Sequence, residues 1–422
     1  MAIAPEQTRA AIYEGTRIPR PIPTALRVPD EIAATGDVLR INFGPNHPST
    51  HGVLRLIVDL YGEDVVGLEA VIGYLHTGFE KNMEQKSWWK AITYPERIDY
   101  LSFQANELAF VLAIEKLLGL ETPPKASWMR TCLCELNRIH SHLVWLGTAA
   151  LELGAISMFW YCFREREQIL DLFEMVCGTR MHTRYFQAGG LAEDIPAGFF
   201  PEARRFVGWM PRAIDEYEGL VNRNKIWLER TVGLGLLSAG DAIALGQSGP
   251  VLRGSGVDWD LRKVEPYLAY GDCDFAVPVH PEGDVYARYR VHMEEMRESV
   301  KICLQALDGM PEGRIVADAP KIILPDREQM KTQMESLIHH FKIVTEGFGV
   351  PAGEVMSSVE AAHGMMNYYV VSDGTAKPYR VHMRNADYAN LQALEVMCKG
   401  RLLADVVAVI GSIDIVLGAI DR

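Results

Sequence analysis

The sequence contains no CxxC pair, no phosphate loop of the GxxxxGK[ST] type, no GxGxxG between a strand and a helix, and no cluster of Lys and Arg. Each absence excludes something. Without paired cysteines the chain is expected to own no metal cluster. Its seven cysteines (Cys132, Cys134, Cys162, Cys177, Cys273, Cys303 and Cys398) are scattered, odd in number and mostly set in apolar helical context, which fits a reducing compartment. Residues 231–263 are rich in glycine, yet no nucleotide site is expected in them. The formal charge of -13 argues against nucleic acid or an anionic membrane surface as the main partner, because both reward basic clusters. The N-terminus has no positive region followed by an apolar core, so no secretory signal is expected and the protein should stay in the cytoplasm.

Long apolar runs are scarce too. One stretch, 143–163, carries a single charge, Glu152, over a length that could cross a bilayer. Gly147 and Gly154 interrupt it, and its flanks, ELNRIHSH and REREQILDLFE, have the pattern of amphipathic bundle helices. The expectation is two core helices meeting near Glu152. An acid at such a junction must find a partner or shift its pKa upward, which makes Glu152 a site candidate. Near the C-terminus, Asp405 and Asp414 argue against a spanning helix in LLADVVAVIGSIDIVLGAI.

With 422 residues, 48% of them apolar and 23% charged, the chain can bury a large core divided into two or three subdomains. The most informative stretch runs from Ile41 to Tyr100. Here an apolar strand enters a loop holding His47, His51, Gly44, Pro45, Pro48 and Gly52, and a second strand, Val53 to Tyr61, leaves it. The prolines fix φ and disfavour helical backbone at Gly44 and His47, so the loop is stiff. It is also longer than a minimal hairpin connection needs, and stiff, overlong, polar-tipped loops hold binding side chains. His47 and His51 are therefore the first candidates.

Residues 1–35 read as an extended arm, and 36–75 as a three-stranded antiparallel meander carrying the histidine loop. From 76 to 235 the periodicity predicts a helix bundle. Thr77 and Glu80 have capping-box spacing, which predicts a helix from Thr77 to about Ala91. Tyr94-Pro95 then breaks the pattern, leaving Tyr94 between helices; a core-edge tyrosine would look the same. A long helix over about 126–150 places Glu135, Arg138 and His142 on one side, as a buried ion network. The loop GTRMHTRYFQAGG brings Arg180, His182 and Arg184 together, which suits an anion or ordinary surface charge. Residues 236–422 form a C-terminal α/β part, with helices at 284–308 and 326–347, a hairpin near 365–385 turning at Asp373-Gly374, and a closing helical segment. Adjacent His339 and His340 point to different parts of a helix surface and are poorly arranged as joint metal ligands.

The strings GPNHPSTHGVLRL, GYLHTGFEK, FREREQILDLFE, GSGVDWDLRK, MEEMRESVKI, MESLIHHFK, YYVVSDGTAKPYR and the terminal Asp421-Arg422 resemble the 49 kDa (D-type) subunit family of proton-pumping NADH:quinone oxidoreductase, respiratory complex I. The resemblance covers the chain from about Val38 to its last residue. It implies a mainly helical α+β fold like the large subunit of nickel-iron hydrogenases, in which a CxxC near each end holds the metals. Here the histidine loop and SIDIVLGAIDR stand in those places, so the resemblance implies quinone where the metals were.

By the same resemblance, His51 and Tyr94 are the ligands of the quinone headgroup, and Glu152 stands where the family has the aspartate that pairs with this histidine. His182 matches the histidine beside the terminal [4Fe-4S] cluster, which the neighbouring B subunit ligates. No cofactor is expected on this chain alone, and no metal ligands. Quinone is the substrate, and the implied partners are the B, C and I subunits and, at the quinone access point, the membrane-embedded H subunit. The implied location is peripheral, on the cytoplasmic side of the bacterial cell membrane. The chemistry suits these residue types: reduction takes two electrons and two protons, and His and Tyr both donate to a headgroup oxygen without adding a permanent anion. EAAHGMMNYY stands where the family often has a Pro and a basic residue, placing Ala362 and His363 there. A catalytic hydrogenase subunit, disfavoured by the missing CxxC pairs, and a purely structural assembly subunit are the alternatives.

Overall fold

Alternation of apolar and polar residues builds the first sheet. The computed structural model describes residues 38–422, so the arm expected over 1–35 lies outside the described residues. Strands β1 (Leu39–Phe43), β2 (Arg55–Tyr61) and β3 (Asp64–Val71) pair antiparallel in the order β1-β2-β3, with Leu39 opposite Leu60 and Arg55 opposite Val71. Leu56, Val58, Leu60, Val65 and Leu68 are buried. They share one cluster with Leu394, Val406, Val409 and Ile413 from the other end of the sequence. Burial of this apolar face thus brings the two ends of the chain together.

Three short helices follow: α1 (Phe79–Glu84), α2 (Trp88–Ala91) and α3 (Pro95–Ile98). The single helix expected from Thr77 to about Ala91 is instead split at Gln85–Ser87 and begins at Phe79. Thr77 caps nothing: the N-cap is Gly78, at φ 66° and without a side-chain cap. Glu80, which a capping box would turn back onto Thr77, accepts instead from Arg380, His382 and the Met383 backbone N–H. A long-range ion pair has outcompeted the local cap.

The central bundle comprises α4 (Phe103–Leu118), α5 (Pro124–Glu152), α6 (Ile156–Cys177), α7 (Phe199–Val221) and α8 (Val285–Gly309). Helix α5 packs between α6 and α8. The 143–163 run is broken at Leu153–Ala155, where Gly154 turns at φ 91°. It is therefore two helices, and no helix among the described residues is long and apolar enough to cross a membrane.

The stretch expected as a helix over 326–347 is divided by an extended Gln333 into Arg327–Thr332 and α9 (Met334–Thr345). The C-terminal sheet has three strands, β4 (Gly353–Ala361), β5 (Gly364–Ser372) and β6 (Arg380–Arg384). The β4 strand has no counterpart among the expectations; its mixed GEVMSSVEA composition hides the period-2 signal. Ala361 pairs with Gly364, so only Ala362 and His363 form the turn between β4 and β5. Helices α10 (Ala386–Gln392), α11 (Leu403–Ser412) and α12 (Leu417–Asp421) close the chain. The protein is an α+β fold, mainly helical, with small antiparallel sheets.

Candidate functional site

The loop from Gly44 to Gly52 is built by its own side chains. Gly44 sits at φ 80°, where a Cβ would lie 2.3 Å from the Leu54 carbonyl oxygen. His47 is extended, and its Nδ1 accepts from the Ser49 backbone N–H at 3.2 Å while the ring lies 4.4 Å from Phe43. The Thr50 hydroxyl donates to His47 O at 2.8 Å. His47 is thus spent on shaping the loop. His51, at φ 55°, donates its backbone N–H to the Pro48 carbonyl at 3.1 Å, and its ring has no hydrogen-bond partner among the described residues. It is exposed on one side, yet protein crowds it enough for desolvation to lower its pKa, against the charge of Asp414. Accessibility and crowding together belong to the wall of a recess.

Glu152 ends α5 and meets this loop directly. The Ser49 hydroxyl donates to its carboxylate, and burial nevertheless pushes its pKa up to about 7. Its Oε2 is buried without a partner among the described residues and lies 2.9 Å from where a Cβ on Gly411 would stand. The structure therefore brings Glu152 to Ser49, two residues from His51, and the acid makes no direct hydrogen bond to the His51 ring.

Tyr94 immediately precedes α3, half-buried, with its ring edge-on to Phe79 at 6.2 Å. No hydrogen bond joins it to His51. The C-terminal segment passes the end of α3: a Cβ on Gly418 of α12 would lie 2.5 Å from the Ile98 carbonyl, and the charge of Asp414, just before α12, acts on His51. The rim is tied down there too. Asp421 accepts from the Gly73 and Leu75 backbone N–H groups at 2.9 and 2.6 Å, and His76 Nδ1 lies 2.7 Å from the Asp421 carbonyl.

His182 lies on the loop after α6, against the Glu96 backbone of α3. It and Arg184 both have left-handed backbone, at φ 55° and 45°. Glu96, two residues after Tyr94, holds this loop: its Oε1 accepts from Arg184 N–H at 2.7 Å and from the Thr183 hydroxyl at 3.1 Å. Burial raises Glu96 to about 7 against those bonds. Arg184 stacks its guanidinium 3.8 Å over Trp89. The half-buried His182 ring has a lowered pKa, from burial first and Arg97 second. One short helix thus connects Tyr94 with the His182 loop.

Behind the recess, charged side chains are buried in quantity. Glu135 accepts from Arg262, Tyr270 and Ser299 at 3.0, 2.7 and 2.6 Å and pairs with Arg138 at 3.3 Å. Those cations hold it down at about 2 despite full burial. His142 bonds Glu295, as part of this ion network. A second group, Asp99, His292, His363, Asp387 and Asp414, lies nearer His51. Sequence reasoning had no way to assemble it, because its members are up to 315 positions apart (414 minus 99). Two trios of ligand-type atoms fall within 4.8 Å: Asp99, His363 and Asp387 inside this group, and His292 and Asp414 with His142 of the first network. His292 and His363 face carboxylates, a hydroxyl or a carbonyl at both ring nitrogens, whereas His142 bonds Glu295 through Nε2 and its buried Nδ1 has no partner among the described residues. Six cysteines are buried and Cys177 is half-buried.

A family model described as respiratory-chain NADH dehydrogenase, 49 Kd subunit, matches residues 152–422. The chain is 60% identical over 382 residues to the second of the NADH-quinone oxidoreductase D subunits of Koribacter versatilis (strain Ellin345), spanning 90% of this chain and 95% of that one. It is 54% identical over 393 residues to the first of the D subunits of Solibacter usitatus (strain Ellin6076), spanning 93% and 96%. It is 52% identical over 389 residues to the D subunit of Geotalea uraniireducens (strain Rf4), spanning 92% and 100%.

Proposed function

Since this chain belongs to the 49 kDa subunit family of the respiratory-chain NADH dehydrogenase, and is a subunit of an NADH-quinone oxidoreductase, we propose that the recess at His51 receives the quinone headgroup. The observation that carries this reading is the state of His51: a ring without a partner among the described residues, held by a self-bonded loop and open on one side. In this reading His51 and Tyr94 hydrogen-bond the two headgroup oxygens. Each donates a proton as negative charge develops there. Glu152, poised at about 7, restores protons to the recess through Ser49 and water. The His182 loop faces the neighbouring B subunit, whose [4Fe-4S] cluster supplies electrons one at a time. The seven cysteines suit that division of labour, since they are dispersed through the core and grouped in no CxxC pair.

Quinone reaches the recess from the membrane beside the H subunit, and the C and I subunits complete the surroundings of a peripheral protein on the cytoplasmic face. Reduction of quinone to quinol there is coupled to proton translocation elsewhere in the complex. The test is His51→Ala in the assembled complex. Quinone reduction is lost while NADH oxidation by an artificial acceptor upstream persists; unchanged quinone turnover refutes the reading.

A further inference from the structure

Quinone reduction at His51 and Tyr94 leaves the buried group around Asp414 without a task. Asp414 lies on the Ile413–Val416 connection between α11 and α12, with left-handed backbone at φ 47°. The connection is pinned: Val416 N–H donates to Asp387 at 2.8 Å, and the Asn390 side chain donates to Ile413 O at 3.4 Å. Asp414 is 8% exposed, and His292 and His363 are 0% and 2% exposed. Its charge acts on His51.

The same Asp414 oxygen, Oδ2, faces two imidazoles. His292 Nε2, from α8, is 3.3 Å away, and His363 Nε2, from the turn between β4 and β5, is 3.5 Å away. The tautomer of His292 is fixed, because its Nδ1 lies 2.7 Å from the Arg288 carbonyl, which can only accept. Its Nε2 is left to face the Asp414 carboxylate. His363 is enclosed more tightly. Its Nδ1 lies 3.0 Å from Asp99 and 3.7 Å from Asp387, and its Nε2 is shared between Asp414 and the Ser141 hydroxyl at 3.1 Å. Three carboxylates around one ring hold it as an imidazolium.

Asp414 in turn stays ionised despite its burial chiefly because of His363, then His292 and His142. The nearby permanent cations are engaged elsewhere. Arg253 pairs with Glu295 and Glu360, and Arg288 donates to the Gly235 and Gly283 carbonyls and Ser412. Tyr100, beside Asp99 and Asp387, has its pKa pushed up to about 12 and brings no charge. His142, against the His292 ring at 4.7 Å, is bonded to Glu295.

We propose that His292 and His363 are positioning residues for quinone reduction: together they present Asp414 to His51 as a carboxylate, and that carboxylate keeps His51 able to hold the proton that the quinone oxygen takes. The inference rests on the reading of His51 as a headgroup ligand. In the step itself the His51 N–H bond breaks and the quinone O–H bond forms, with the electrons delivered through the partner's cluster. The ring then regains a proton from its open side. Asp414 and its two histidines keep their own protonation throughout. Without the His363 cation the buried carboxylate would keep its proton at neutral pH and His51 would lose its counter-charge; rising pH would then ionise Asp414 and return it.

The experiment measures kcat and KM for quinone reduction against pH in the assembled complex, for the native chain, His363→Gln, His363→Arg and the double variant His292→Arg/His363→Arg. His363→Gln is expected to lower kcat about tenfold at neutral pH, with KM changed less than about twofold, and kcat recovers as pH rises and Asp414 ionises. His363→Arg, a permanent cation, restores kcat at neutral pH, and the double variant keeps it. NADH oxidation by an artificial acceptor reports assembly, and the arginine variants carry the test where His363→Gln does not assemble. A His363→Gln loss that does not recover at higher pH, assembled arginine variants that lose kcat at neutral pH, or a His363→Gln defect confined to KM overturns the inference. His51→Ala, run alongside, separates the two claims. Retained turnover there refutes the reading of the site, whereas lost turnover there with a native-like profile for His363→Gln refutes this inference alone.

Discussion

Replacing Glu152 by glutamine tests the physics of the recess without reference to catalysis. Glu152 is raised from an ordinary 4.5 to about 7, with burial as the cause and the Ser49 hydroxyl opposing it. A displacement of that size corresponds to about 3 kcal/mol of discrimination against the charged form. Because the folded-state value lies above the unfolded one, Glu152 costs nothing below about pH 4.5. The cost then grows as pH rises and is complete above about pH 7. Glu152→Gln keeps the side chain's length and removes the titration. The melting curve of the complex should therefore be equal for native and variant near pH 4, and should favour the variant by up to about 3 kcal/mol at pH 8. Infrared difference spectra, native minus variant, should show a protonated carboxyl band that disappears with a midpoint near pH 7. If the two melting curves run parallel from pH 5 to 8, or the band is absent at pH 5, then Glu152 is an ordinary solvated acid and the reasoning fails.

Tyr94→Phe deletes one hydroxyl, so the KM for quinone should rise about three- to tenfold, the worth of one hydrogen bond, and an unaltered KM counts against its role. Gly44→Ala drives a Cβ to within 2.3 Å of Leu54 O and should destabilise the loop by about 2–4 kcal/mol. Gly52→Ala, at φ 78° with nothing within 4 Å, should cost only about 1 kcal/mol of backbone strain. Equal melting shifts for those two variants would show that the loop is not sterically fixed. Glu135→Ala leaves Arg138 and Arg262 short of their shared carboxylate, and a loss of about 3–5 kcal/mol is expected on melting.

Much of this architecture is legible in the sequence where the signal is local. The meander shows as alternation, α5 and α8 show as long periodic stretches, and the stiffness of the histidine loop follows from Pro45 and Pro48. Gly154 correctly marks the turn that divides 143–163. What fails is what distant partners decide. Thr77 and Glu80 satisfy a local rule, yet Glu80 goes to β6, some 300 residues on. His47 and His51 are equivalent on paper; only the fold shows that the first caps Ser49 while the second is left unengaged. Asp414 enters the sequence reading merely as an obstacle to a spanning helix, and His363 as a departure from a family pattern. Their meaning comes from a meeting of five places far apart in the chain.

The β4–β5 hairpin carries a restriction that its place in the sheet does not advertise. Its tip consists of only two residues, and one of them is the imidazole lodged among three aspartates. Side chains on a ribbon alternate between its faces, so inserting or deleting a single residue in either strand would swing that ring to the opposite side. Exposed loops elsewhere in the chain can drift in length over evolutionary time; this ribbon must keep its count.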